Sequence, residues 1–354
     1  MATLTETTYW TRKFLKFGII ALVAFIVLKT TFKVGKKIWR QLHPPPPPPP
    51  TVSFGKIPKL VFPEENLPLE KEKISFKLET IQGGLPKLQE VEKVYFRPVR
   101  SPNLLALDRA NSLAQKMGFR NPPEKKDETT YRWTNENSTM LEIDINNLNF
   151  HLIYDFKNDQ EILTSKNLPT NQQAAQEAKN FLVNLVNNGV LPEDLNNGTA
   201  EFEYLRFITN QLLPVNSLSE ADFIRVNLFR ANLNDLKILP PNPKKSLIFF
   251  LFSGSRTPGK RIVEINYTYF PVEKEIFGTY PLKPVTQAWN ELQKGEGYIA
   301  NLGQNESGQI VIRKVYLGYY DSETPQHYLQ PIYVFEGDKN FFAYLPAVDP
   351  KWTE

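Results

Sequence analysis

Seven consecutive prolines, Pro44 to Pro50, divide the chain into two parts that no single helix or strand can run through. Proline has no backbone N–H and a fixed φ, so such a run extends as polyproline II, about 22 Å at ~3.1 Å per residue. It reads as a stiff stalk. A ligand for SH3- or WW-type domains is the competing reading, but the run lacks flanking specificity. The expected organisation is a tail over 1–13, an apolar segment over 14–34, a basic and polyproline linker over 35–57, and a folded body over 58–354.

Charge divides at the same place. The 43 residues before the prolines hold eight Lys/Arg and one acid, Glu6, while the remainder holds 34 basic and 37 acidic residues. The body is therefore almost neutral. A nucleic-acid-binding body would need clustered Lys/Arg against phosphates, so nucleic acid is not an expected partner.

Within the N-terminal segment, Phe17 to Leu28 is an unbroken apolar run between Lys16 and Lys29. Extended to Phe14–Val34 it gives about 31 Å of helix, with Lys16, Lys29 and Lys33 snorkelling toward headgroups. No small-x-small cleavage site follows, which favours an uncleaved single transmembrane helix over a cleaved signal or an interfacial helix. Its orientation is pulled two ways. Arg12, Lys13 and Lys16 precede the segment and Lys29, Lys33, Lys36, Lys37 and Arg40 follow it, which by the positive-inside rule places the body in the cytoplasm. A short tail, one span and a large C-terminal body is instead the layout of an exported, membrane-anchored domain, and an extracytoplasmic body is the expectation adopted.

The body alternates at period two in several stretches, the signature of half-buried antiparallel strands. Leu141, Ile143 and Ile145 face one way and Glu142 and Asp144 the other; Asn146-Asn147 offers a two-residue turn, and Phe150, Leu152, Tyr154 and Phe156 line the return strand. RIVEINYTYF (261–270) is expected to bury Val263, Ile265, Tyr267 and Tyr269, and only SLIFFLF (246–252) reads as buried on both faces. Three amphipathic helices interrupt the strands. The first, over 103–117, carries the stripe Leu104, Leu107, Ala110, Ala114 and Met117, with Gly118 as its stop. The second, over 171–188, has Thr170 and Gln173 at capping-box spacing and Gly189 after it; the third, over 285–294, runs from Pro284 to Gly295. Each precedes a run of strands. The expected fold class is therefore α+β: a helix-plus-antiparallel-sheet unit repeated over 58–160 and 161–354, the latter as one region or as two (161–282 and 283–354).

Chemistry is sparse. With no cysteine, thiolate catalysis, iron–sulfur clusters, Cys-ligated zinc and disulfides are ruled out. Gly254 to Lys260 fits G-x-x-x-x-G-K after an apolar strand, but Arg261 stands where a P-loop needs Ser or Thr, and a strand follows instead of a helix. Asp155, Asp159 and Glu161 have the alternate spacing of a calcium loop, but Lys157 sits at a ligand position and the central glycine is missing. There is no G-x-S-x-G elbow, and His43, His151 and His327 read as surface residues. The Asn-x-Ser/Thr triplets at Asn137, Asn197, Asn266 and Asn305 are no more than chance supplies in an Asn-rich chain. Tyr316, Tyr319, Tyr320, Tyr328, Tyr333 and Phe335 either pack a sheet or line a groove. No residue is assigned a catalytic, cofactor-binding or metal-binding role, and no cofactor is expected.

The tail VTQAWNELQKGEGYI, IVIRKVYLGYY, YLQPIYVFEG and FFAYLPAV resembles the C-terminal module of YycI/YycH-type proteins and their PepSY-like relatives, most strongly over 283–350. The resemblance implies a single-span protein with an extracytoplasmic body that regulates a sensor kinase or a peptidase by binding it. It brings no catalytic motif. The function expected is thus a membrane-anchored interaction or regulatory protein with a protein partner in the envelope. The alternative is an envelope enzyme acting on cell-wall polymer or peptide through carboxylates, which converging carboxylates in the deepest cleft would favour over an apolar groove.

Overall fold

A computed structural model describes residues 49–354 except 66, 68–73, 102, 186–188 and 306–307, and before residue 49 only helical positions 15, 22, 25, 28–31 and 35. The chain falls into two units, Met1–Pro49 and Pro50–Glu354. Most of the expected transmembrane segment at 14–34, the tail and Pro44 to Pro48 lie outside the described residues. Among the described residues no helix is long and apolar enough to cross a membrane, so the single-pass membrane assignment is not upheld.

The body begins at Thr51, which bonds Thr279; Ile57 is fully buried beside the C-terminus. It continues through β1 (Ser75–Leu78), β2 (Val91–Phe96), α1 (Ala106–Lys116), β3 (Glu124–Lys125), β4 (Thr130–Thr134), β5 (Thr139–Asp144) and β6 (Phe150–Tyr154). Three helices follow, α2 (Gln160–Thr164), α3 (Asn171–Leu185) and α4 (Glu193–Asn196). Next come β7 (Thr199–Ile208), β8 (Gln211–Val215), β9 (Phe223–Phe229), β10 (Lys237–Leu239), β11 (Ile248–Ser253), β12 (Ile262–Tyr267) and β13 (Glu273–Pro281). The chain ends with α5 (Val285–Gln293), β14 (Tyr298–Asn301), β15 (Gln309–Tyr320), β16 (Tyr328–Leu329), β17 (Pro331–Gly337) and β18 (Phe341–Pro346).

Strand accounts for 37% of the structure against 19% helix, and sheets set the architecture. An antiparallel nine-stranded sheet runs β3-β4-β5-β6-β12-β11-β9-β7-β8. A six-stranded sheet runs β1-β15-β17-β18-β14, with β10 also pairing to β15, and β13-β2-β16 form a third. The expected repeat of helix-plus-sheet units is corrected here. β1 and β10 lie parallel on successive halves of the twelve-residue β15, and β2 pairs with β13 and β16. Neighbouring strands are thus drawn from opposite ends of the chain, which a self-contained repeat does not allow.

Local patterns hold where packing agrees with them. β11 is buried on both faces: Ile248, Phe250 and Phe252 join the core under α1 and α3, while Leu251 joins the opposite one. The six-stranded sheet splits the same way. Tyr333, Phe335, Ala343 and Leu345 face α5, and Ile332, Val334, Phe342 and Tyr344 face Leu60 and Leu239. Tyr319, Tyr320, Tyr333 and Phe335 are thereby sheet packing, not groove lining. The capping box of α3 forms as spaced, with Thr170 N–H donating to Gln173 Oε1 (3.0 Å) and Gln173 N–H to Thr170 Oγ1 (3.4 Å).

Three patterns are overridden. A bulge opposite Leu251 and Phe252 turns Val263 to the face away from Ile265, because the extra residue resets the alternation. The 146–147 turn is longer than two residues. Leu148 N–H reaches Asp144 O (2.8 Å), Asp144 Oδ1 accepts from the N–H groups of Asn146 (2.8 Å) and Asn147 (3.3 Å), and Leu148 rather than an asparagine takes positive φ, +63°. Leu104, expected in the core stripe, precedes α1 and is 100% exposed, while Ala106, Ala110 and Ala114 form the buried face.

One ion cluster joins the sheets. Arg97 follows β2, Arg230 follows β9 and Asp321 follows β15, so each sheet supplies one member. Arg97 Nη2 donates to Asp321 Oδ1, and Arg230 Nη1 donates to both Asp321 oxygens at 3.1 and 3.2 Å. Arg230 Nε reaches Asp194 of α4 at 2.6 Å. Burial alone would push the Asp321 carboxyl up, but Arg230 and Arg97 outweigh it and hold it below the usual carboxylate range.

Removing Asp321 leaves Arg97, 1% exposed, without a counter-charge. Asp321→Ala is expected to cost about 3–5 kcal/mol, the usual loss when one partner of a buried ion pair is deleted. Because the folded carboxyl is depressed, its contribution is complete above the unfolded value and disappears as pH falls below it. Urea denaturation at pH 7 measures the loss; less than about 1 kcal/mol would mean that the cluster does not hold the sheets together.

Candidate binding cleft

The alanine stripe of α1 settles on Trp133, Leu141 and Phe150 of the nine-stranded sheet. Small side chains on that face fix which residues lie on the flank. At ~3.6 residues per turn, Leu105, Arg109, Ser112, Leu113 and Lys116 share one side of the helix. Leu182 and Leu185 at the end of α3 stand across from them, and Lys116 Nζ donates to Leu185 O at 3.0 Å, tying the two helix ends. The floor is the β5–β6 turn, with Asn147, Leu148 and Phe150, and Tyr267, whose ring stacks on Phe150 at 5.2 Å. These walls enclose a cleft of about 600 Å³, within the range of small-molecule sites.

Two features of its walls are costly. Leu148 holds left-handed backbone that a bulky L-residue adopts at a cost of roughly 1–2 kcal/mol. Arg109 Nε and Nη2 are closed off from water with no hydrogen-bond partner. A buried donor left unpaired costs about 1–3 kcal/mol, more on a charged group. Arg100 and Asp108 complete the charged lining, so cation exceeds anion there. Tyr267 lies deep enough that its phenol is pushed up to about 12, chiefly by burial and further by Asp194.

A second cavity, of about 310 Å³, shares Arg100, Asn147 and Tyr267 with the first and includes Asn146, whose Oδ1 is buried without a partner. A third, of about 330 Å³, shares Tyr269 with the second and is lined by Asp194 and Arg230. Tyr269 hydroxyl donates to Asp194 Oδ1 (3.0 Å), and the Arg230 guanidinium lies 4.8 Å from its ring centre.

The motifs weighed from sequence lie elsewhere. The Gly254–Lys260 segment is the hairpin between β11 and β12, and its polar groups converge on α2. Lys260 Nζ is 2.6 Å from Asp159 and 3.0 Å from Glu161. Ser255 and Thr257 hydroxyls donate to Glu161 Oε1, and Asp159 Oδ1 caps α2 through the N–H groups of Glu161 and Ile162. The would-be phosphate loop and the would-be calcium loop are thus the two halves of one internal ion cluster. Among the described residues no group of three His, Asp or Glu is placed to hold a metal. His151 pairs with Glu264 at 3.1 Å, on the side of β6 away from Phe150 and Leu152. His327 accepts Arg97 N–H through its backbone carbonyl, and His43 lies outside the described residues. The amides of Asn266 and Asn305 are bonded to backbone carbonyls.

Arg109 was not singled out by sequence. The signal available was the flank 105-109-112-113-116, which mixes leucine with cation and lies one residue back from the alanine stripe.

No protein-family description matches the chain, and no curated protein matches it. Among solved structures it is similar to an uncharacterized protein from Eubacterium rectale, at 13% identity and a TM-score of 0.39, over 73% of this chain and 82% of that one.

The α2 cluster makes a pH prediction. Bonds from Ser255, Thr257 and Lys260 pull the Glu161 carboxyl from 4.5 to about 2. Its folded value is depressed, so its stabilising contribution is complete above about pH 4.5 and is lost as pH falls toward 2. Glu161→Gln should flatten acid unfolding across that window, and a carboxyl titration by NMR should place Glu161 well below 4.5. A midpoint near 4.5 would refute the assignment.

Proposed function

We propose that the chain is a non-catalytic binding protein, of the interaction or regulatory kind, whose cleft beside α1 takes a ligand with an apolar body. The observation that carries this reading is the cleft itself: leucines from two helices and a turn, with Phe150 and Tyr267, line one largely apolar groove. An enzyme working through carboxylates would bring two of them together. Among the described residues lining the first cleft Asp108 is the single acid, and it is exposed. The apolar groove favours a binder. Two further cavities, which add Asp144, Glu193 and Asp194 to the lining, adjoin this cleft along Tyr267 and Tyr269.

A neutral apolar probe tests this reading. 1-Decanol titrated into the full chain should bind saturably by calorimetry. Leu148→Asn makes one cleft wall polar, and asparagine tolerates positive φ better than leucine, so the fold should survive. The substitution removes about 1 kcal/mol of apolar contact, or roughly fivefold in affinity. No saturable binding, or equal binding to Leu148→Asn, would overturn the proposal.

A further inference from the structure

Resting on that reading, we infer that the cleft and the apolar rim beside it dock an amphipathic helix of a partner protein, apolar along one face and acidic along its flanks. The apolar surface runs on past the enclosed space. Leu105 lines the cleft and keeps 64% of its surface in water, Leu104 before it is 100% exposed, and Val99, 39% exposed, lines the adjoining cavity with Arg100. A ligand confined to about 600 Å³ leaves that rim in water. A partner that lays one long face across the site covers it, and its larger apolar side chains enter the cleft as anchors. From Leu105 to Lys116 the flank of α1 runs about 16 Å at ~1.5 Å per residue, or about three helical turns.

The backbone and the charge of the walls select the partner's form. The backbone groups of α1 and α3 are bonded within their own helices, so an extended peptide finds no ladder to join there. A helix brings its own backbone already paired and needs only side-chain contact. Two leucine-bearing helix flanks are also buried readily by a third helix, the ridges of one entering the grooves of the other. Among the charges of the lining, Arg100, Arg109 and Lys116 stand against Asp108 alone. Arg100 and Lys116 are exposed, so their field reaches an approaching partner and favours acids beside its apolar face. A second copy of this chain docked face to face through the same patch would set these cations against one another, which disfavours self-association.

The probe is an acetylated and amidated peptide of about 16 residues, long enough to form a helix by itself, with leucine repeated at i, i+3, i+4 and i+7 and glutamate on both flanks. It is compared with the same peptide carrying lysine for glutamate, and with the same composition in an order that scrambles the leucine stripe. By calorimetry on the full chain at pH 7 and low salt, the glutamate peptide should bind saturably, the lysine peptide at least about tenfold more weakly, and the scrambled peptide not at all. Saturating 1-decanol should displace the glutamate peptide. Leu104→Glu is expected to weaken its binding at least about tenfold, the loss of one leucine buried against the peptide. An unchanged thermal unfolding midpoint shows that a change at this exposed position leaves the fold intact. Arg100→Glu should narrow or reverse the preference for glutamate over lysine. Decanol binding without binding of the glutamate peptide overturns the helix and leaves the apolar cleft standing, and binding of neither overturns both. Equal binding of the lysine or the scrambled peptide, no displacement by decanol, or full affinity in Leu104→Glu also overturns the helix. Dimers of the chain in sedimentation, lost in Leu104→Glu, put a second copy in the partner's place and overturn it as well.

Discussion

The carboxylate of Asp321 is shared by two buried arginines that arrive from different sheets, and the arrangement of the body depends on it. A charge taken out of water is tolerated only with partners and hydrogen bonds in place. Arg97, Arg230 and Asp321 each stand one step beyond the end of a strand, where backbone direction is still set by the sheet but the ladder no longer constrains the side chain. Asp194 then extends the cluster into α4, and Tyr269 into the row of cavities. The ion cluster and the candidate cleft are therefore neighbours along one strand exit, Tyr267 to Tyr269, rather than separate features.

The cleft owes its shape to side-chain size. Three alanines let α1 settle on the bulky Trp133, and Lys116 Nζ ties the end of α1 to the Leu185 carbonyl of α3. The space that remains is closed below by a turn whose conformation is held by Asp144 and Asn149 rather than by glycine. Leu148 accepts an unfavourable φ there. Strain and unpaired donors on the walls of one cleft are the sort of local cost that a packed structure over-determines elsewhere.

The hairpin at 254–260 shows how a motif can be right in its residues and mean something else. A glycine-rich loop ending in lysine binds phosphate when a helix N-terminus faces the anion. Here the chain continues as β12, and the anion that Lys260 meets is internal, Asp159 and Glu161. The charges that made each segment look reactive on its own are the charges that satisfy each other.

Strand positions, the capping box at Thr170 and Gln173, and the doubly buried character of 246–252 were legible in the sequence, because period-two alternation and local capping depend on nearest neighbours along the chain. The register of the sheets was not. The parallel docking of β1 and β10 on β15 is decided by partners more than two hundred residues away in one case and about eighty in the other, and the bulge at Val263, though its partner on β11 is near in sequence, breaks the alternation that a local pattern reads. Repeated modules were read from helix–strand succession, and that reading failed because sheet neighbours are chosen by burial and not by chain order. Arg109 was invisible for a related reason: an arginine on an exposed flank looks solvated until a second helix and a turn shut two of its nitrogens away from water. The sequence alone determined which segments become strands and helices and which chemistries lack their residues; only the tertiary structure decided which strands meet, and which charged groups are left without a partner, because both depend on contacts between residues that the chain brings together only on folding.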